Sequence, residues 1–490
     1  MNPAPISLLH ATSELHPFSK TGGLGDMVGA LTQALARAGH PVHVVTPMYR
    51  GIRERFPGIQ ATGWRFEIRI GPDLVPGCFH RLDPEPNRTL WFVEQPGYFD
   101  RPGIYNERLR DYADNAARFS FFSQSATLLA RHLPTPPGII HAHDWQSALV
   151  PVRIQYERVA AGWSSAPKTL LTLHNLAYQG SFPLRDWEVT GLPADWLHLE
   201  SALHHGQVNF LKGGIALADA LSTVSPTYAR EICTAEFGCG LDGLLRRREY
   251  ELTGILNGVD YDEWNTTRNP ALHSFYDADH LGGKRANKLA LQQELGLAVD
   301  DSIPLFADVT RLAEQKGVDL LHDAVLELLG SGERMQFALL GSGDPQLETA
   351  LDRLAQAFPG VVAARIGFDP ALAHRIEAGA DFFVMPSRFE PCGLNQLYSL
   401  RYGTIPIVRA TGGLMDSVID PRENPDGATG IKFHDPTPEA LANAMRKGIS
   451  LFRHSDVLEL FRRRGMRTDA SWTRQAAEYL DLYDEVYHGV

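Results

Sequence analysis

Two series of short apolar runs, each run followed by a glycine-bearing or charged loop and then by a helix-periodic segment, constrain this chain more than any other feature. In the first series Ile6 to His10 reads as a strand and Lys20 to Asp26 (KTGGLGD) as a glycine loop. Met27, Val28, Leu31, Ala34 and Leu35 then recur at three- and four-residue spacing on one helix face. Gly39 closes that helix, and Val42 to Val45 is the next strand. Further strands are expected at Gly138 to His141 and Thr169 to Leu173, with HAHDW and HNLAYQG at their carboxyl ends. The second series has strands at Pro304 to Val309, Phe337 to Leu340, Val361 to Ile366, Asp381 to Met385 and Ile405 to Val408. Helix faces at Leu320 to Leu328, Leu347 to Leu354 and Leu394 to Tyr402 separate them. Such alternation builds parallel sheets covered by helices on both faces, so the expected fold class is α/β and doubly wound.

A chain of 490 residues exceeds what one hydrophobic core supports, which favours two or three domains. The turn-rich LNGVDYDEW, Leu256 to Trp264, and the aperiodic stretch behind it place the boundary there. A net charge of −12 argues against binding nucleic acid through its phosphates, so an anionic nucleotide needs a local basic pocket. Cys78, Cys233, Cys239 and Cys392 form neither a C-x-x-C pair nor a zinc-finger spacing, which points to a reducing cytoplasm without disulfides or structural metal. No signal-like leader and no apolar stretch of about 18 residues is present, so neither export nor a membrane partner is expected. Gly341-Ser342-Gly343 and Gly23-x-Gly25 both lack the third glycine of a dinucleotide fingerprint, and no G-x-x-x-x-G-K-S/T sequence occurs.

Six loops carry candidate chemistry. Lys20, Gly22, Gly23 and Asp26 lie between a strand and a helix start, where free amides and the positive helix end receive a pyrophosphate; a tight turn with a solvated lysine is the plainer alternative. Arg311 and Lys316 in TRLAEQKG follow the strand ending at Val309 and suit a departing diphosphate, although single surface cations more often do nothing specific. Each such contact is worth roughly 2.7–4 kcal/mol by analogy with oxyanion donors. Glu390 to Gln396, with Cys392, Gly393 and Leu394, offers amides for phosphate or sugar and a carboxylate for ribose or hexose hydroxyls. Thr411, Gly412 and Gly413 repeat the pattern after the next strand, with close packing as the alternative. His141, His143, Asp144 and His174 have no usual zinc spacing, and Asp144 and His174 are assigned to sugar recognition. The Asp260/Asp262 and Asp277/Asp279 pairs are read as linker chemistry, so no metal is expected.

Taken together, KTGGLGD, HAHDWQ, HNLAYQG, FLKGGIALADALSTVSPTYAREI, LNGVDYDEW, TRLAEQKG, PSRFEPCGLNQ and RATGGLMDSV resemble the bacterial glycogen synthases and plant starch synthases, in that family's order and over nearly the whole chain. The resemblance implies a GT-B architecture of two Rossmann-like domains facing a central cleft. Residues 1–264 form the acceptor side, 265–465 the nucleotide-sugar side, and 466–490 a C-terminal helix crossing back. It further implies that Lys20 with its loop, Arg311 and Lys316 clamp the diphosphate, and that Glu390 and the 392–394 backbone recognise the sugar nucleotide. Asp144, His174 and Asn257 match positions near the glucosyl group, with His174 acting chiefly through its carbonyl. Phe368 stands where relatives often have Tyr beside the base; it can stack without a hydroxyl bond. ADVT replaces the more usual VVS before Arg311, which puts Asp308 in a strand.

The implied activity is retaining transfer of glucose from ADP-glucose to the non-reducing end of an α-1,4-glucan, releasing ADP, without cofactor or metal. Domain closure is expected to expel water while cations stabilise departing ADP and the acceptor attacks the same face. Double displacement through Asp144 is the rival route. A non-catalytic glucan-binding protein would lack the charged clamp positions that are present here, and a phosphorylase would need a pyridoxal lysine site, which is not recognisable.

Overall fold

Pairing starts from the first strand, Leu8–Ala11, which is buried along its whole length and lies between parallel neighbours Val42–Pro47 and Ile139–His143. In the computed structural model, which describes residues 5–108 and 110–489, the chain divides into two units. One comprises the chain up to Val224, Ala229–Gly258 and the segment from Trp472; the other comprises Ser225–Tyr228 and Val259–Ser471.

The first unit carries a nine-stranded sheet. Leu252–Gly254, Ala220–Thr223, Lys168–Leu173, Ile139–His143, Leu8–Ala11, Val42–Pro47 and Arg88–Glu94 run parallel in that order, and Asp73–Glu85 and Gln60–Ile70 extend the sheet antiparallel. Strand order reverses beside Leu8–Ala11, and the crevice at such a reversal is where open α/β sheets bind ligands. The helix Gly23–Arg37 buries Leu24, Met27, Val28, Leu31 and Leu35. The C-terminal helix Trp472–His488 belongs to this unit and buries Tyr479 and Tyr483.

The second unit has six parallel strands, ordered Val362–Ile366, Gln336–Gly343, Leu305–Leu312, Phe382–Met385, Ile405–Arg409 and Ile431–Phe433, so its reversal lies between Leu305–Leu312 and Phe382–Met385. Phe306 and Phe382, with ring centroids 4.9 Å apart, centre a core that includes Leu321, Val325, Phe337 and Ile407. Burying one such side chain contributes about 1.5–3 kcal/mol, and the strands are continuously buried runs, as expected of a parallel sheet covered on both faces.

Several sequence expectations change. The division falls after Gly258 and not after Trp264, because Val259, Tyr261 and Trp264 pack with the second unit: Trp264 stacks on Tyr398 at 3.6 Å, and Tyr261 Oη accepts from Ala470 N at 2.9 Å. The chain returns at Trp472 and not at 466, since residues up to Arg467 complete the helix Ser455–Arg467, whose Phe461 belongs to the second core. The strand expected to end at Val309 continues to Leu312, placing Arg311 within it, paired with Ser342. Leu312 is buried and Arg311 exposed, so the end of the strand points the two side chains to opposite faces. The antiparallel pair Gln60–Ile70 and Asp73–Glu85 was not anticipated.

Candidate active site

The first unit's candidate residues start at the turn after Leu8–Ala11. Lys20 Nζ lies 2.7 Å from Asp26 Oδ2, so Asp26, expected among the binding residues, serves as the counter-ion of Lys20. Gly22 caps the helix that begins at Gly23 without a side-chain hydrogen bond. A residue the sequence reading missed, Glu14, shapes this loop. It is 3 % exposed, and its carboxylate accepts from Thr21 N at 2.6 Å, Gly22 N at 3.2 Å, Thr21 Oγ1 at 2.6 Å and Tyr105 Oη at 2.7 Å. Two amides assigned to a pyrophosphate are therefore occupied. A phosphate is left the first helical turn from Gly23, where amides lack intrahelical acceptors, and the exposed lysine.

Asp144 ends the strand Ile139–His143 with a positive φ of 56° and accepts from His174 N at 2.7 Å. The residue keeps some exposed surface, but its carboxyl is packed among protein atoms, and this burial raises its pKa to about 7 against the opposing amide bonds of His174 and Asn175. Its carboxyl thus fixes the backbone at His174. Asn257 is buried beyond the edge strand Leu252–Gly254, one strand removed from the strand leading to His174. His10, His141 and His143 bring ring nitrogens within 4.8 Å of one another, as do Cys78, His80 and Glu94 through one ligand atom each. Neither cluster was legible as a spacing, because each draws residues from separate strands.

In the second unit Lys316 Nζ lies 2.6 Å from Glu390 Oε2, and Ser387 Oγ donates to the same oxygen at 2.9 Å. Glu390 is buried, Lys316 half-buried, and Arg311 exposed with no ion pair to the described residues. These cations occupy the carboxyl edge beside the strand reversal. The turn Thr411 to Gly413 packs on the Glu390 to Cys392 loop: Gly413 N donates to Glu390 O at 3.2 Å, and a Cβ on Gly412, whose φ is 45°, would meet that oxygen at 1.9 Å. Gly412 therefore answers close packing. Gly393, with φ 72°, opens the turn before helix Asn395–Tyr402, and Leu394 is its N-cap. Phe368 is 87 % exposed, just before the helix Pro370–Gly379.

Asp308 is buried, and burial lifts its pKa from 3.8 to about 8, with the Lys316 charge opposing the shift and that of Glu390 adding to it. A raised acid binds more protons folded than unfolded. Its contribution to stability is complete below about pH 4 and is lost as pH rises through about 8. Asp308→Asn is expected to match wild type at low pH and to become progressively more stable than it up to pH 8. Equilibrium denaturation across that range reads the difference, and parallel curves would place the proton elsewhere.

Both parts of the chain match families already described: residues 7–247 the starch synthase catalytic domain, and residues 292–455 the group 1 glycosyl transferases. A glycogen synthase of Anaeromyxobacter dehalogenans (strain 2CP-1) is 47% identical over 482 residues, covering 98% of each chain. The chain belongs to the glycogen synthase family. Among other glycogen synthases, that of Dechloromonas aromatica (strain RCB) is 44% identical over 492 residues, 98% of each chain. The catalytic domain of starch synthase IV from Arabidopsis thaliana, solved bound to ADP and acarbose, superposes with a TM-score of 0.89 at 33% identity over 99% of this chain and 100% of that one. Sucrose-phosphate synthase from Thermosynechococcus elongatus shares the fold, with a TM-score of 0.62 at 19% identity over 99% of this chain and 100% of that one. This glycogen synthase family member is a retaining hexosyltransferase of GT-B fold. Among the described residues no helix is long and apolar enough to cross a membrane.

Proposed function

We propose that the chain moves glucose from ADP-glucose to the non-reducing end of an α-1,4-glucan such as glycogen, with retention, releasing ADP in the cytoplasm. The observation that carries this reading is the Lys316–Glu390 pair at the strand reversal, where Arg311 has no ion pair among the described residues. The ADP-bound starch synthase relative supports the choice of nucleotide. Lys316 and Arg311 stabilise charge on the departing diphosphate, and in the first unit Lys20 and the first turn from Gly23 are suited to an anion. Phe368, Thr411 and the 392–394 backbone hold the nucleotide, and Asp144, His174 and Asn257 serve the glucosyl group. No cofactor and no metal take part.

The acceptor 4-hydroxyl oxygen bonds to the anomeric carbon on the face from which the diphosphate oxygen departs, and that oxygen takes the hydroxyl proton. Asp144 is the only candidate for double displacement. Its carboxyl is engaged by backbone amides and holds a proton up to about pH 7, both unsuited to a nucleophile. A glucosyl adduct trapped on Asp144 would refute the front-face route. The activity itself is tested with purified protein, glycogen and labelled ADP-glucose beside labelled UDP-glucose. Polymer-bound label from ADP-glucose is expected, and none from either donor would sink the reading.

A further inference from the structure

From His174 inward a single file of hydrogen bonds runs through the first unit. His174 Nε2 meets His143 Nδ1 at 3.1 Å, His143 Nε2 meets His10 Nδ1 at 3.1 Å, and His10 Nε2 meets Tyr483 Oη at 3.4 Å. Tyr483 Oη meets His141 Nδ1 at 2.7 Å, His141 Nε2 meets Thr172 Oγ1 at 2.5 Å, and Thr172 Oγ1 meets Ser222 Oγ at 2.6 Å. His10, His141, His143, Thr172 and Ser222 have no exposed surface. Strand register creates the file: His10 pairs with His141 in neighbouring parallel strands, His143 follows two residues on, and the C-terminal helix supplies Tyr483.

Burial holds all four imidazoles neutral at physiological pH, lowering His10 and His174 to about 3 and the other two well below 6.5. A neutral ring has one N–H and one lone pair, so a ring that accepts on one side must donate on the other. The file therefore has only two proton orders, and every bond reverses together. Its inner end selects between them. Thr172 is the only side-chain partner of Ser222 among the described residues. A buried hydroxyl proton without an acceptor is costly. Ser222 consequently donates to Thr172, Thr172 to His141, His141 Nδ1 to Tyr483, Tyr483 to His10, His10 Nδ1 to His143, and His143 Nδ1 to His174 Nε2. The remaining proton of His174 must sit on Nδ1, which has no partner among the described residues.

We propose that Tyr483, on the C-terminal helix, and the buried His10, His141 and His143 are positioning residues that impose on His174 the tautomer protonated at Nδ1. His174 then presents a donor edge to a ligand oxygen. This rests on the reading of His174 as a glucosyl-site residue, but proton position can be measured without turnover. Neutron diffraction from deuterium-exchanged crystals of the full chain near neutral pH is expected to show deuterons on Nδ1 of all four histidines. Tyr483→Phe deletes the link, leaves either order with one unpaired group, and is expected to divide the His174 deuteron between Nδ1 and Nε2. Its kcat should fall about tenfold, the scale of one hydrogen bond. Should Tyr483→Phe not fold, Thr172→Val breaks the file nearer its origin, with the same expectation. A deuteron on Nε2 of His174 in wild type, an undivided Nδ1 deuteron in the variants, or a metal ion held by His10, His141 and His143 overturns the proposal. Failure of the glucosyl-transfer reading would leave these deuteron positions as predicted, so the two failures are separable.

Discussion

Lys316→Ala is expected to lower kcat/KM for ADP-glucose by about 10²–10³ while leaving glucan affinity close to wild type. The lysine sits 2.6 Å from Glu390, at the carboxyl edge where the strand order of the second unit reverses, and Arg311 at the end of the strand Leu305–Leu312 has no ion pair among the described residues. A diphosphate gains charge as its bond to glucose breaks, so a fixed cation aimed at it acts more strongly in the transition state than on bound donor. The loss should therefore fall mainly on kcat. A structural role predicts a different pattern. Truncating one partner of a buried pair leaves the other charge uncompensated, so Lys316→Ala will also melt earlier. Glu390→Gln added to Lys316→Ala removes that stranded charge and should restore the melting temperature without restoring turnover. Turnover that returns with stability would mean that Lys316 only neutralises Glu390.

What could be read from the sequence was what local periodicity and loop chemistry encode. The helix after KTGGLGD shows its buried face in the spacing of Met27, Val28, Leu31 and Leu35, and the strands before HAHDW and TRLAEQKG show themselves as apolar runs bounded by polar loops. Glu14 was invisible for the opposite reason. An acid six residues before Lys20 carries no local signature, and only the folded turn aims its carboxylate at the amides of Thr21 and Gly22. The histidine file likewise joins His10 to residues more than 130 positions away. The antiparallel pair Gln60–Ile70 and Asp73–Glu85 was missed because exposed and half-buried residues fill most of both strands, which blurs their alternation. The domain limits erred by a few residues because aromatic packing decides them, Trp264 on Tyr398 above all, and a turn-rich composition does not.

Asp381→Ala should cost the second unit about 3–5 kcal/mol, as expected when one member of a buried ionic cluster is removed. Asp381 accepts from Lys288 Nζ at 2.6 Å, from Arg462 Nη2 at 2.6 Å and from Leu305 N at 2.9 Å, so one carboxylate ties the helices Gly282–Leu295 and Ser455–Arg467 to the sheet. Lys288 and Asp381 are buried, and the desolvation that lowers the Lys288 pKa is offset chiefly by Asp381. Without the carboxylate, Lys288 and Arg462 repel each other with only the more distant Asp301 acting favourably on the lysine. In calorimetry the transition of the second unit should move down by roughly 2–4 °C for each kcal/mol, and that of the first unit should stay in place. Replacing Lys288, Asp381 and Arg462 together by apolar residues of similar volume should recover most of the loss, because the cluster's net contribution is small although each member's removal is costly. Salt separates this cluster from surface pairs such as Arg467–Asp279, both exposed: screening should weaken those and leave the Asp381 effect nearly unchanged. A deficit that vanishes at high salt would mean that water already reaches the carboxylate and that packing of the two helices holds the second unit together.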